Sequence, residues 1–371
     1  MAETDPFGLD ARILQANLEA LGQADAHLAE RLAGLAVADR ACPARGRDGS
    51  VTFRLTEPDG QQRWFGRTSM PTISAAALLA NFEPGGGNVA LVGIGCGLEA
   101  KLLAQRMGPH QAIFVLETDP LKLALALRLY DLSGPIRQRR IVLLLSEQPE
   151  QALLEFCCQH DGFLPPGRML SWPWLEPAGR QQATDMLSRA GKIISRRHQQ
   201  QLGRLAELAG RHAARRPLPA APRVVILSTS PIRRVSRLGQ DLHEAARELG
   251  WASGIVLMDS PANANLLAHC RAAVEGRPDL LILIDHARRQ LPTVPAGVPA
   301  VTWLSPHAVP DAGLVESMAA GDRCVASTSA AGERLLRAGL ASERVLVLPP
   351  AANIRRYEAC QPDAQAIASA R

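Results

Sequence analysis

Two short stretches constrain the fold more than anything else in the chain. Val89-Ala-Leu-Val-Gly-Ile-Gly-Cys-Gly-Leu-Glu-Ala100 is an apolar run that ends in alternating glycines and passes into a helix-like segment. Ala112-Ile-Phe-Val-Leu-Glu-Thr-Asp-Pro120 is a second apolar run with an acidic tip. The order predicts strand, tight glycine turn, helix, strand. Such a unit brings a glycine backbone, the free N–H groups of a helix start and a carboxylate about 20 residues on to one edge of a sheet. These groups suit a nucleotide-like or adenosine-like ligand, with Gly93, Gly95 and Gly97 approaching it and Glu117 or Asp119 accepting from a ribose diol. Each also has a plainer reading. The glycines serve a tight turn and close packing equally well, and Asp119, beside Pro120, is placed to cap the next helix.

Length and charge narrow the classes. The chain has 371 residues, 47% of them hydrophobic, which is enough for two core-sized domains and too apolar for a disordered chain. No apolar run reaches the roughly 18 residues that a membrane helix needs. The opening Met1-Ala-Glu-Thr-Asp-Pro-Phe-Gly8 lacks a basic segment followed by an apolar one, so a cytoplasmic protein with no secretory leader and no membrane span is expected. Seven cysteines form no CxxC pair and show no zinc-like spacing with histidine, so reduced thiols and no metal site are expected. The net charge of +5 gathers at Arg196-Arg197, Arg204, Arg211, Arg215-Arg216 and Arg233-Arg234. No aromatic residues interleave with these arginines. Nucleic acid is therefore not the expected partner, and the arginines read as a solvated helix or as contacts to ligand phosphates.

Patterning divides the chain. Leu14, Leu18, Leu21, Leu28, Leu32 and Leu35 recur at helical spacing. Val51–Thr56 and Gln62–Phe65 alternate on either side of Pro58-Asp-Gly60, a hairpin signal. Residues 1–72 thus form an N-terminal helix and hairpin extension. A first doubly wound domain follows over 73–216, with a helix from Ile73 to Phe82, strands near 89, 112 and 140, and a loop through Pro165-Pro-Gly and Trp172-Pro-Trp174. A long Gln- and Arg-rich helix spans about 180–215. The linker Arg216-Pro-Leu-Pro-Ala-Ala-Pro222 leads to a second domain over 223–350, where five or six apolar strands alternate with helices, one of them starting at Gly239. Residues 351–371 read as a short helix or tail. The expected class is α/β, with two Rossmann-like doubly wound parallel-sheet domains behind that extension.

The second domain carries its own candidates. Asp285, His286 and Arg288 follow a predicted strand at the carboxyl edge of the sheet, where ligand crevices form. A histidine there is either a general base toward a sugar or protein hydroxyl, or a capping and packing residue. Ser305-Pro-His307 closes the next strand and gives His307 the same two readings, with Ser305 beside a substrate. Ser228-Thr-Ser230 with Arg233 and Arg234 precedes a helix, either as a phosphate-binding turn or as a polar turn. No G-x-S-x-G elbow, P-loop or HExxH string occurs, which removes hydrolase, kinase and zinc-protease readings.

Several strings, taken in order, resemble a known module. Thr68-Ser-Met-Pro71, Leu91-Val-Gly-Ile-Gly-Cys-Gly-Leu-Glu99, Val115-Leu-Glu-Thr-Asp-Pro120 and Leu129-Tyr-Asp-Leu-Ser133 resemble the N-terminal domain of the motility accessory factor (Maf) proteins, themselves similar to glycosyltransferases for flagellin. Thr118 stands where that family usually has proline. Arg223-Val-Val-Ile-Leu-Ser228, Pro278-Asp-Leu-Leu-Ile-Leu-Ile-Asp-His286, Gly297-Val-Pro-Ala-Val-Thr-Trp-Leu-Ser305, Val325-Ala-Ser-Thr-Ser329 and Val347-Leu-Pro-Pro-Ala351 resemble the acceptor-side half of GT-B glycosyltransferases near the CgeB-like group. The resemblance implies a bacterial glycosyltransferase that moves a sugar from a nucleotide sugar to a protein or glycan hydroxyl, with a flagellin-like acceptor. It also implies that the GT-B donor half comes from a partner chain or has been lost. A methyltransferase-like alternative uses Gly93–Gly97 for S-adenosylmethionine, with Gly93 at that family's acidic position and Glu99 at its last glycine. A third reading is a non-catalytic scaffold for a glycosylation enzyme or its protein substrate.

Overall fold

A computed structural model of the chain describes residues 7–349, apart from residues 58, 84, 212–217, 296, 307 and 311. The chain forms two compact units, Met1–Gly203 with Met258–Ala268, and Arg204–Leu257 with His269–Arg371. Each is built on a parallel sheet, so the fold is α/β with two Rossmann-like doubly wound sheets. No helix among the described residues is long and apolar enough to cross a membrane.

The first unit opens with α1 (Ala11–Ala24) and α2 (Ala26–Ala33), capped by Asp10 and Asp25. Next comes a small antiparallel sheet of β1 (Ala41–Arg45), β2 (Val51–Thr56) and β3 (Gln62–Trp64). The β2–β3 pair is the expected hairpin. Strand β1 was not expected, because Pro43 breaks its pattern, but on an edge strand the missing N–H costs no ladder bond. Helix α3 (Pro71–Leu79) begins two residues ahead of the expected Ile73, since the Asp48 carboxylate accepts from Thr72 N (2.8 Å) and caps it from outside the helix.

The parallel sheet comprises β4 (Asn88–Val92), β5 (Ile113–Glu117), β6 (Ile141–Leu145) and β7 (Pro166–Leu170), in the order β6-β5-β4-β7. Between the strands run α4 (Leu98–Arg106), α5 (Pro120–Leu129), α6 (Ser133–Arg137) and α7 (Pro149–Gln159), and α8 (Pro177–Arg211) follows β7. Alternate residues of one strand go to opposite cores. Val89, Leu91 and Val115 join Leu103, Leu123 and Leu127, whereas Ala90, Phe114 and Leu116 join Leu153, Met186 and Ile194. With both faces covered, the strands read as continuous apolar runs. Buried Asn17 fastens α1 to this core, donating to Leu127 O and Tyr130 O (both 2.8 Å) and accepting from Leu132 N (2.8 Å). The stretch expected as a loop at 165–175 contains β7, an edge strand paired in parallel with β4. Its proline and exposed polar side chains hid it, as befits a strand with one neighbour.

The second unit has six parallel strands: β8 (Arg223–Ser228), β9 (Ala252–Leu257), β10 (Leu280–Ile284), β11 (Ala300–Leu304), β12 (Arg323–Ala326) and β13 (Val345–Val347). Their order is β13-β12-β11-β10-β8-β9. The accompanying helices are α9 (Arg233–Glu248), α10 (Leu266–Glu275), α11 (Ala312–Glu316) and α12 (Ser329–Arg337). Helix α9 starts at Arg233, ahead of the expected Gly239, because Val235, Ser236 and Gly239 already form its buried stripe. The two sheets reverse direction at different places: between β4 and β7 in the first, the Rossmann pattern, and between β8 and β10 in the second, the flavodoxin-like pattern.

Candidate functional site

At the carboxyl edge of the first sheet, Gly93, Gly95 and Gly97 adopt φ values of +84°, +63° and +94°, a region that a side chain disfavours. Glu117, at the tip of β5, is 5% exposed and holds this turn. Its Oε2 accepts from Ile94 N (3.0 Å), and its Oε1 accepts from Thr118 N (2.9 Å) and Asp119 N (3.1 Å). The carboxylate that a ribose would use is thus already bonded to backbone. Asp119 accepts from Leu121 N (3.0 Å) and caps α5.

The start of α4 is likewise occupied by the chain itself. Glu99 lies buried in its first turn, where Oε2 accepts from Cys96 N (3.2 Å) and the Cys96 thiol donates to the same oxygen (3.2 Å). Burial pushes the Glu99 carboxyl up, and it pushes the Cys96 thiol and the Tyr130 hydroxyl up as well. A helix end that offers N–H groups to an anion is here answered by an internal carboxyl.

Above the turn lies Trp172. This residue follows β7, so it enters the crevice where the sheet reverses, and it is 5% exposed. A Cβ added at Gly95 would collide with its ring, and one at Gly93 would sit 3.2 Å from its Nε1. The glycine backbone approaches an indole, in the place where a pyrophosphate would approach it in a dinucleotide fold. At Gly97, an added Cβ would lie 3.0 Å from the Cβ of Ala126, so this glycine serves helix packing. Together with Glu99 at a position where close approach is needed, these contacts do not fit the adenosyl group of S-adenosylmethionine laid on the turn.

Beside the indole a cleft of about 1010 Å³ opens within the first unit, a size that suits a small organic ligand. Trp172 stacks on Trp174 with ring centroids 4.8 Å apart and planes 11° from parallel. Trp64 lines the cleft from β3, with the Arg54 guanidinium 4.2 Å over its ring. Glu57, Glu117, Glu150 and Glu176 share the lining with Arg67, Lys122 and Arg189, and Gln148, Gln151 and Gln182 add amides. Arg189 donates to both Glu150 oxygens (3.2 and 2.7 Å), joining α8 to α7. Four carboxylates against three cations leave no excess of positive charge, so the cleft is not biased toward phosphate. Flat indole faces among amides and carboxylates match a ring with an apolar face and hydroxyls around its rim. The three tryptophans are scattered over a hairpin and a loop, and only their rarity, five in the chain, marks them in the sequence.

The second unit gathers most of the other candidates at the carboxyl edge of its sheet. Asp285 has φ +59°, and its carboxylate accepts from Ser305 N and Ser305 Oγ (both 2.6 Å), so Asp285 and Ser305 bridge β10 and β11. His286 is 3% exposed; Nδ1 donates to Ile284 O (2.9 Å), and burial lowers its pKa to about 4. Ser228 and Ser230 form the turn after β8, and Arg233, exposed, begins α9. Arg288, expected at a substrate, is spent inside the fold. It donates through Nε and Nη2 to Asp322 (2.9 and 2.6 Å), through Nη1 to Pro295 O (3.0 Å) and through Nη2 to Val298 O (2.7 Å), with its side chain 10% exposed. His307 lies outside the described residues. No protein-family model, no curated protein and no solved structure matches this chain.

Proposed function

We propose that the protein is a glycosyltransferase-like sugar-handling protein and that the cleft of the first unit receives sugar rings. The observation that carries this reading is the stacked Trp172–Trp174 pair, with Trp64, in a cleft rimmed by glutamates and glutamines and without an excess of cations. Pyranose rings pair an apolar face with a rim of hydroxyls, and indoles with carboxylate and amide acceptors are the complementary surface. The resemblance to Maf-type and GT-B-type sequences points the same way.

In that reaction a protein or glycan hydroxyl attacks the anomeric carbon of a nucleotide sugar, and the bond to the nucleoside diphosphate breaks. The hydroxyl's proton passes to a base. Among the carboxylates that line the cleft, Glu57 and Glu176 are the candidates for it. S-adenosylmethionine is disfavoured by the indole over Gly95 and by Glu99 at the helix start.

Calorimetry with UDP-glucose, a neutral oligosaccharide and S-adenosylmethionine tests the reading. Saturable heat is expected with the sugars, weakened about three- to tenfold in Trp174→Ala. Saturable heat with S-adenosylmethionine alone contradicts it.

A further inference from the structure

We propose that the β8–α9 turn of the second unit is a binding site for a phosphate ester, distinct from the indole cleft and independent of the sugar-transfer reading. The sheet reverses direction between β8 and β10, and in open α/β sheets that is where a ligand crevice forms. Several further features of this edge point to an anion that carries a proton donor.

Helix α9, 16 residues long, begins without a side-chain cap and has no acidic residue in its first turn. Its leading N–H groups therefore keep their partial positive charge. Arg233, Arg234 and Arg237 add cations at this same end, where the helix dipole disfavours them unless an anion is shared. Arg233 and Arg237 are exposed, and neither is in an ion pair among the described residues. The turn ahead of the helix is laid out in hydroxyls. Ser228 Oγ donates to Ile284 O (3.5 Å) and accepts from Ser230 N (3.3 Å), and Ser230 Oγ accepts from Ile232 N (3.4 Å).

His286 Nδ1 donates to that same Ile284 carbonyl, which sets the ring beside Ser228 at the foot of the turn. On the ring's other edge, Nε2 is buried and has no partner among the described residues. Ser236, on the first turn of α9 and also buried, has a hydroxyl without a partner among the described residues. Gly239, one turn further on, lets α9 lie close to Ile284, so helix start and strand end meet at one place. Val235 packs with Ile284, so Ser236 and His286 flank the contact between α9 and the end of β10. Buried polar atoms are as a rule satisfied, and two left unmatched there mark a place that a bound group completes.

The atoms also choose the ligand. His286 is neutral at pH 7 and Nδ1 carries its proton, so Nε2 is an acceptor that only a donor can fill. The P–OH of a monoprotonated phosphate ester, or a hydroxyl of the esterified alcohol, supplies that donor while the phosphoryl oxygens face the arginines and the helix start. An ionised carboxylate ligand has no such donor.

Phosphorus NMR and calorimetry on the full chain, with inorganic phosphate, glucose 1-phosphate and UDP, test the site. Saturable binding of at least one ester is expected. Tighter glucose 1-phosphate identifies a sugar phosphate, and tighter UDP identifies a nucleoside diphosphate. The double variant Arg233→Glu, Arg237→Glu is expected to weaken binding about tenfold or more. The nitrogen-15 signal of His286 Nε2 should move on ester binding. Absence of binding by all three probes overturns the proposal, as does affinity indifferent to the two arginines. A null result with Trp174→Ala in sugar binding would instead count against the cleft alone.

Discussion

The two sheet edges differ in how much of their chemistry the chain itself uses. At the first, the glycine turn is covered by Trp172, the helix start is answered by Glu99, and Glu117 is bonded to three backbone N–H groups. At the second, cations crowd an uncapped helix start, and His286 and Ser236 keep buried polar atoms without partners among the described residues. A glycine-rich turn is the stronger motif on paper, yet it is the one that is closed. Motif strength reports that a turn can be tight; the side chains around it decide whether a ligand can approach.

Trp172→Ala puts the closed edge to the hardest test. Removing a buried indole should destabilise the first unit by about 3–5 kcal/mol in urea unfolding. If it also creates nucleotide binding at Gly93–Gly97, the indole is what closes the turn; if stability is unchanged, the packing described for the crevice is wrong.

The pH dependence of stability should separate the edges by sign. His286 has its pKa lowered by burial from 6.5 to about 4, so the unfolded chain takes up its proton first as pH falls. Stability is then lost between pH 6.5 and 4, by roughly 3 kcal/mol. Burial raises the Glu99 pKa above 4.5, so its contribution is fully present below that pH and is lost as pH rises through the folded value. Urea titrations across pH should therefore show His286→Asn flattening the acid limb and Glu99→Gln flattening the limb above pH 4.5. Equal slopes in wild type and both variants would remove this contrast.

A smaller effect sharpens the open edge. Arg233→Glu replaces a cation with an anion at the positive end of α9 and should raise stability by about 0.3–1 kcal/mol. A gain in thermal midpoint with a loss of phosphate binding is what a functional cation would give. A loss of stability would mean that Arg233 is a structural residue.

Much of the architecture was legible because buried parallel strands announce themselves as apolar runs, as at Val89–Val92, Ile113–Glu117 and Leu280–Ile284. Strands β1 and β7 were not, since each is an edge strand containing proline and polar residues. The positions of Gly93, Gly95 and Gly97 were legible, but not what covers them: Trp172 lies about 80 residues away and meets them only after β7 joins β4. Arg288 looked like a ligand residue because it follows a strand end. Its true partner, Asp322, lies 34 residues on, and no local pattern links the two. The cleft was invisible for the same reason, with Trp64, Trp172 and Trp174 brought together by tertiary packing.

Hydrogen exchange on the full chain with glucose 1-phosphate or UDP added compares the two edges in one experiment. The account predicts slowed exchange at the amides of residues 229–237 and no change at residues 93–99. Protection of residues 93–99, with 229–237 unaffected, would contradict it.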